Sequence, residues 1–172
     1  DPAMEEILSG LCTGTPDGHT WFHMYPLSWV LSKLYCILPD FHWYGCFLWL
    51  CQMGCVYACI VRTTEIIVCP KKQYMYMILT FLLMAGVMLP ENVILTFTAV
   101  SGMLGATAVF LTATANFVNS KGNVIFKSVP AMICYYFAFC IRKDMALLLL
   151  PFLLCAGVFF VMTYKREQED NL

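Results

Sequence analysis

The chain has 172 residues, of which 60% are hydrophobic and 12% charged, whereas a soluble domain carries roughly 25% charged residues. That balance indicates an integral membrane protein, and with runs this apolar an all-α, polytopic helical bundle. The net charge is -1, and no basic face is available to neutralise phosphates along a duplex, which excludes a nucleic-acid partner.

The charges are unevenly spread. Residues 1–42 hold Asp1, Glu5, Glu6, Asp17 and Asp40 against Lys33. The same region carries His19 and His23, just ahead of the hydrophobic array. The opening at Asp1, without a signal-peptide pattern, reads as a fragment whose first membrane helix precedes it. Met4 to Leu8 suits a short helix, which Gly10, Gly14, Pro16 and Gly18 break into turns. From Met24 the apolar residues Met24, Leu27, Leu31, Leu34 and Leu38 recur at three- and four-residue steps, with Ser28, Ser32 and Lys33 opposite and Pro26 in the first turn. At about 1.5 Å per residue this helix is about 22 Å long, short of the roughly 30 Å hydrocarbon core. With Trp21, Trp29 and Tyr35 it reads as an amphipathic juxtamembrane helix lying in the interface; a tilted span is the competing reading.

Five membrane spans are expected after it. Trp43 to Arg62 opens on the interfacial pair Trp43-Tyr44 and closes on a cation. Arg62, Lys71 and Lys72 bracket a short connection. Tyr74 to Leu89 makes a second span, stopped at Leu89-Pro90-Glu91-Asn92, and Val93 to Ala115 a third. In the third, Ser101, Gly102, Gly105 and Ala106 let another helix approach closely, and packing within one chain is the expected use. Asn116 to Lys127 reads as a polar loop, Val129 to Ile141 as the fourth span, Arg142-Lys143-Asp144 as a tight turn, and Met145 to Tyr164 as the fifth span. The chain thus divides into an external acidic loop with its juxtamembrane helix (1–42), a transmembrane bundle (43–164) and a charged tail (165–172).

Nearly all of the ten cysteines lie in apolar runs. Cys51, Cys55 and Cys59 repeat at i, i+4, i+8 and form one helix stripe. Helix packing is the expected role; a soft-metal site shared with another helix is the other reading.

Orientation follows from the cations. With residues 1–42 outside, Arg62, Lys71, Lys72, Lys121, Lys127, Lys165 and Arg166 lie inside, while Lys33, Arg142 and Lys143 lie outside, in keeping with the positive-inside rule. The C-terminus is then cytoplasmic. The acidic loop, Glu91 and Arg142 share one membrane face. A carboxylate there could take the proton from an attacking hydroxyl, and Arg142 and Lys143 could hold a phosphate. The bland alternatives are a solvated acidic loop and snorkelling loop cations. His19 and His23, also four apart, could form a metal pair or stand as unpaired interfacial histidines.

The acidic start, the Gly-rich loop with Pro16-Asp17-Gly18-His19, then Phe22, Tyr25-Pro26-Leu27 and Leu31 to Tyr35, resembles the first external loop of GT-C superfamily membrane glycosyltransferases. The whole chain resembles the N-terminal part of multi-spanning proteins from Firmicute polysaccharide loci, with Trp43-Tyr44, Ile141-Arg142-Lys143 and Leu150-Pro151-Phe152 as further matching points. The resemblance implies a bacterial plasma-membrane protein that transfers a sugar from a polyprenyl-phosphate donor by an inverting displacement during polysaccharide assembly. It further implies Asp1 as general base or as a carboxylate assisting a divalent metal ion. Glu5 or Glu6 would assist it, and Arg142 would contact the donor phosphate, with Lys143, His19 and His23 in the substrate-binding set. Tyr25 departs from the paired prolines of that pattern, and five spans are fewer than such enzymes carry. Two other readings compete. One is a non-catalytic accessory subunit or truncated remnant that packs against membrane-protein partners. The other, ranked last, is a small transporter, for which the Leu89-Pro90-Glu91-Asn92 break is the one candidate feature.

Overall fold

The computed structural model of the chain describes residues 2–11, 14–20, 23–67, 69–93, 96–117 and 124–169. Within these residues the chain is all-α, with no strand. Seven α-helices run in order as α1 Pro2–Ser9, α2 Tyr25–Ile37, α3 Trp43–Ile66, α4 Pro70–Val93, α5 Phe97–Ala113, α6 Val124–Ile141 and α7 Lys143–Glu169, and a 3-10 turn, Ala115–Phe117, follows α5.

Helix α1 closes on a Schellman turn. The Gly10 N–H donates to the Ile7 carbonyl at 3.2 Å and the Leu11 N–H to the Glu6 carbonyl at 3.0 Å, a geometry that needs the left-handed φ of +81° at Gly10. Helix α2 lies where the leucine spacing places a helix, but it is turned differently. Its buried stripe is Ser28, Leu31, Ser32 and Tyr35, while Met24, Leu38 and Lys33 are exposed. The serines go inward because their hydroxyls are satisfied there: Ser28 shares a 2.7 Å bond with the Thr20 hydroxyl, and Ser32 donates to the Trp29 carbonyl at 2.9 Å. A small, paired hydroxyl lets α2 lie close to the bundle at little desolvation cost.

Two of the helices, Trp43–Ile66 and Lys143–Tyr164 within α7, are long and apolar enough to cross a membrane; Phe97–Ala113 and Ser128–Ile141 are shorter apolar helices. The element bounds differ from those expected: α3 runs on to Ile66, α4 starts at Pro70 and α7 runs on to Glu169, and four further differences bear on the packing. Helix α4 continues through Pro90 to Val93 rather than stopping at Leu89, since a proline this near a helix end removes one ladder bond and leaves the rest. The third apolar helix is shorter than expected, starting at Phe97 behind Thr96, whose side chain caps it by accepting from the Ala99 N–H at 3.3 Å. Helix α6 begins at Val124, inside the expected polar loop. Lys143 and Asp144 belong to the first turn of α7, so the reversal between α6 and α7 rests on Arg142 alone.

Contacts along the helices give their directions. Tyr44 and Phe97 both touch His23, and further along the same two helices Cys59 meets Thr107 at 4.0 Å; α3 and α5 are therefore parallel. Gly102 and Gly105 of α5 face Met145 and Leu149 of α7, and Asn116 donates to the Phe160 carbonyl at 2.6 Å, so α7 is parallel to α5 as well. Between α3 and α4, Thr63 pairs with Thr80 and Gln73 reaches back to the Thr64 carbonyl, an antiparallel pairing. Ser101, early in α5, donates at 2.9 Å to the carbonyl of Ala138, late in α6, which makes α6 antiparallel to α5. Helix α5 is the hub, packed against α3, α6 and α7.

Candidate functional site

One end of the bundle gathers α1, the loop before α2, the starts of α3 and α5, and the α6–α7 corner. The sequence builds that corner with few parts. The Arg142 N–H donates to the Ala138 carbonyl at 2.9 Å and the Arg142 carbonyl accepts from the Ala146 N–H at 3.2 Å, so one residue caps both helices. Ser101 donates into the same corner, to the carbonyls of Ala138 and, at 3.4 Å, Arg142, so each of these carbonyls accepts from the Ser101 hydroxyl as well as from a backbone N–H. The loop before α2 is tied down here too, through the Met24 N–H to the Cys140 carbonyl at 2.9 Å.

A chain of polar contacts runs from α1 to this corner. The Glu5 carboxylate, partly buried in α1, accepts from the Tyr35 hydroxyl at 3.1 Å and lies 2.7 Å from His42 Nδ1. The Tyr35 oxygen in turn accepts from the Tyr44 N–H at 3.1 Å, one of the first-turn amides of α3 that lack an intrahelical partner. Burial, with the Glu5 carboxylate adding to it, pushes the Tyr35 phenol up to about 12. At the other end of the Tyr44 side chain the hydroxyl lies 3.3 Å from His23 Nε2. The His23 ring stands edge-on to Tyr44 and 5.6 Å from the Phe97 ring. The Arg142 guanidinium sits 5.3 Å from that same Phe97 ring and donates to the Thr98 hydroxyl, a cation held against a π face.

The expected site residues therefore have separate fates. Asp1 lies outside the described residues. Glu5, His23 and Arg142 are drawn into one connected cluster, with His23 buried and neutral, its pKa pulled to about 4 by burial. Glu6 is on the exposed side of α1, and Lys143 is exposed in the first turn of α7. His19 stands apart from the cluster: its Nδ1 lies 2.7 Å from the Asp17 carboxylate and its ring 5.0 Å from that of Tyr25. That hydrogen bond from His19 holds the Asp17 carboxyl below its usual range. His19 and His23 thus do not act as a pair, and among the described residues no group of three or more His, Cys, Asp or Glu side chains is placed to hold a metal ion.

His42, Tyr35, Tyr44 and Phe97 complete the cluster without having been expected there. Tyr35 and Tyr44 carried an interfacial signal and stood among the points of resemblance, neither of which gave them a role in the site, and nothing in the spacing of His42 links it to a residue 37 positions away. Cavities lie elsewhere. One of about 660 Å³ opens between α3, α4 and α5, and another of about 410 Å³ lies beneath α2 against α3 and α6; neither is lined by Glu5, His23 or Arg142. Comparison with family models, with curated proteins and with solved structures finds no match to the chain.

Proposed function

We propose that the chain is a five-span membrane protein that takes part in sugar transfer from a polyprenyl-phosphate donor at the outer face of a bacterial plasma membrane. The observation that carries this reading is the meeting of α1 with the Arg142 corner through Glu5, Tyr35, Tyr44 and His23. A carboxylate-bearing segment and a guanidinium at one end of a helical bundle are the two halves such a reaction needs. The acceptor oxygen would attack the anomeric carbon as the bond from that carbon to the phosphate oxygen breaks. Its proton would pass to Asp1, and the departing phosphate would gain its countercharge from Arg142 and Lys143. Glu5, already engaged by Tyr35 and His42, then serves as the anchor that fixes α1 and is not itself the base. The alternating directions of α3 to α7 support five crossings. So do the exposed apolar side chains along α4, α6 and α7, among them Leu82, Met132, Phe152 and Met162.

A second reading has its own support. Glu5 and Arg142 are both held by neighbouring side chains, which is what a non-catalytic membrane subunit would need to pin its N-terminal segment to the bundle. A single assay separates the two. The protein in proteoliposomes is supplied with a polyprenyl-phosphate-linked sugar and a hydroxyl acceptor, and transfer is compared among the parent, Asp1→Asn and Arg142→Gln, with thermal unfolding of each. Transfer by the parent that falls at least about a hundredfold in Asp1→Asn with unfolding unchanged supports the enzyme. Absence of transfer by the parent, with Arg142→Gln lowering only stability, supports the subunit.

A further inference from the structure

The cavity between α3, α4 and α5, at about 660 Å³, is within the roughly 300–1,000 Å³ range of small-molecule sites. Its apolar wall is built mainly from Leu79, Leu83, Met84, Met103 and Phe110. Leu79, Leu83 and Phe110 are themselves 56%, 66% and 36% exposed, so the cavity opens sideways, between α4 and α5, toward whatever surrounds the bundle.

Gln52 of α3 stands in this wall. The residue is 1% exposed, and both its amide nitrogen and its amide oxygen are buried with no hydrogen-bond partner. The neighbouring polar side chains are engaged. Thr63 donates to the Cys59 carbonyl at 2.8 Å and meets the Thr80 hydroxyl at 3.5 Å, while the Thr107 hydroxyl lies 4.0 Å from Cys59 Sγ. An unpaired buried amide is costly and uncommon. It also defines its complement: an amide presents donors and an acceptor side by side, and the lining contains no Lys, Arg, Asp or Glu.

We infer that this cavity binds a single-chain lipid whose head group is uncharged and both donates and accepts hydrogen bonds, a primary amide or a hydroxyl, with Gln52 as its polar anchor. The chain lies along the methionine and leucine wall, where Met side chains adjust to an irregular apolar guest. A phosphate head is excluded, since it would lose water without meeting a cation. The site is therefore separate from any donor-phosphate site at the Arg142 corner, and its test does not depend on transfer activity.

The test uses the full chain in nanodiscs and hexadecanamide carrying a photoreactive diazirine at the end of its chain. Saturable labelling is expected on α4 and α5 beside the cavity, displaced by unlabelled hexadecanamide but by neither hexadecane nor hexadecyl phosphate. Gln52→Leu is expected to weaken binding about tenfold, the worth of one hydrogen-bonded anchor, while the thermal midpoint rises because an unpaired buried amide is gone. Ala106→Trp, placed at the exposed rim of the cavity, is expected to block labelling with Gln52 intact. Unchanged affinity in Gln52→Leu overturns the inference, as does equal displacement by hexadecane or by hexadecyl phosphate.

Discussion

His23 shows how a residue that reads as a solvent-facing ligand can become part of a core. In sequence it stands four residues after His19, and the pair invites a metal or a substrate. In the fold the two histidines part: His19 bonds Asp17 at the surface, while His23 is enclosed by Tyr44 and Phe97. Enclosure by these rings takes the His23 imidazole out of water, which penalises its charged form. Its pKa accordingly falls from 6.5 to about 4. The sign of the consequence is fixed by linkage: between these values the unfolded chain binds the proton and the folded chain does not, so stability rises with pH there. The contribution is fully present above about pH 6.5 and is lost as pH falls through about 4. It amounts at most to about 3 kcal/mol. The unfolding midpoint in detergent is expected to drop on acidification from neutral pH to about 4.5, and His23→Phe is expected to flatten that dependence. An unaltered pH profile in His23→Phe would place the titrating group elsewhere.

At the scale of elements, most of what sequence periodicity reveals is existence and approximate place. The apolar runs give α3, α5, α6 and α7, and the small residues Ser101, Gly102 and Gly105 do serve close packing within the chain, against Ala138, Met145 and Leu149. What periodicity misses are rotations and joints decided by partners distant in sequence. Ser28 and Ser32 face inward because Thr20 and the Trp29 carbonyl await them, and the three-residue turn at Arg142 shrinks to one because Ser101 reaches the corner from α5. The site was legible in Glu5, His23 and Arg142; the tyrosines, His42 and Phe97 that join them are a product of the packing. Gly10 is the joint on which α1 depends. Its φ of +81° is a left-handed conformation that costs an L-residue about 1–2 kcal/mol, and a Cβ there would collide with the backbone of Thr15 and Pro16, which has no flexible end to move aside. Gly10→Ala is expected to free α1 from the bundle, seen as faster amide exchange over residues 2–11 with the exchange of α5 unchanged. Equal protection in both regions would show that α1 is held without this turn.

At the scale of the whole molecule, the described residues combine an apolar core with a long apolar surface on α7. Gln52, Ser101 and Thr107 are buried, yet over its candidate span α7 buries only 11% of its apolar stretch. A helix serving as the core of a soluble protein would be mostly enclosed, so this outward apolar surface calls for lipid. Helix α3 at 24 residues is about 36 Å long, enough for a core of roughly 30 Å, and under the proposed five-span arrangement the alternating helix directions set a topology. If residues 1–42 are external, Cys36 on α2 and Cys69 before α4 flank α3 and lie on opposite faces, and both are exposed. Versions of the protein keeping one of these two cysteines, with the other nine positions changed to serine or alanine, can be treated in intact spheroplasts with a membrane-impermeant maleimide. Labelling is expected at Cys36 in intact spheroplasts and at Cys69 only after permeabilisation. The reverse pattern would invert the orientation and move Arg142 to the cytoplasmic side, away from any donor presented outside. Labelling of both in intact spheroplasts would mean that α3 does not cross, and the five-span arrangement would fall with it.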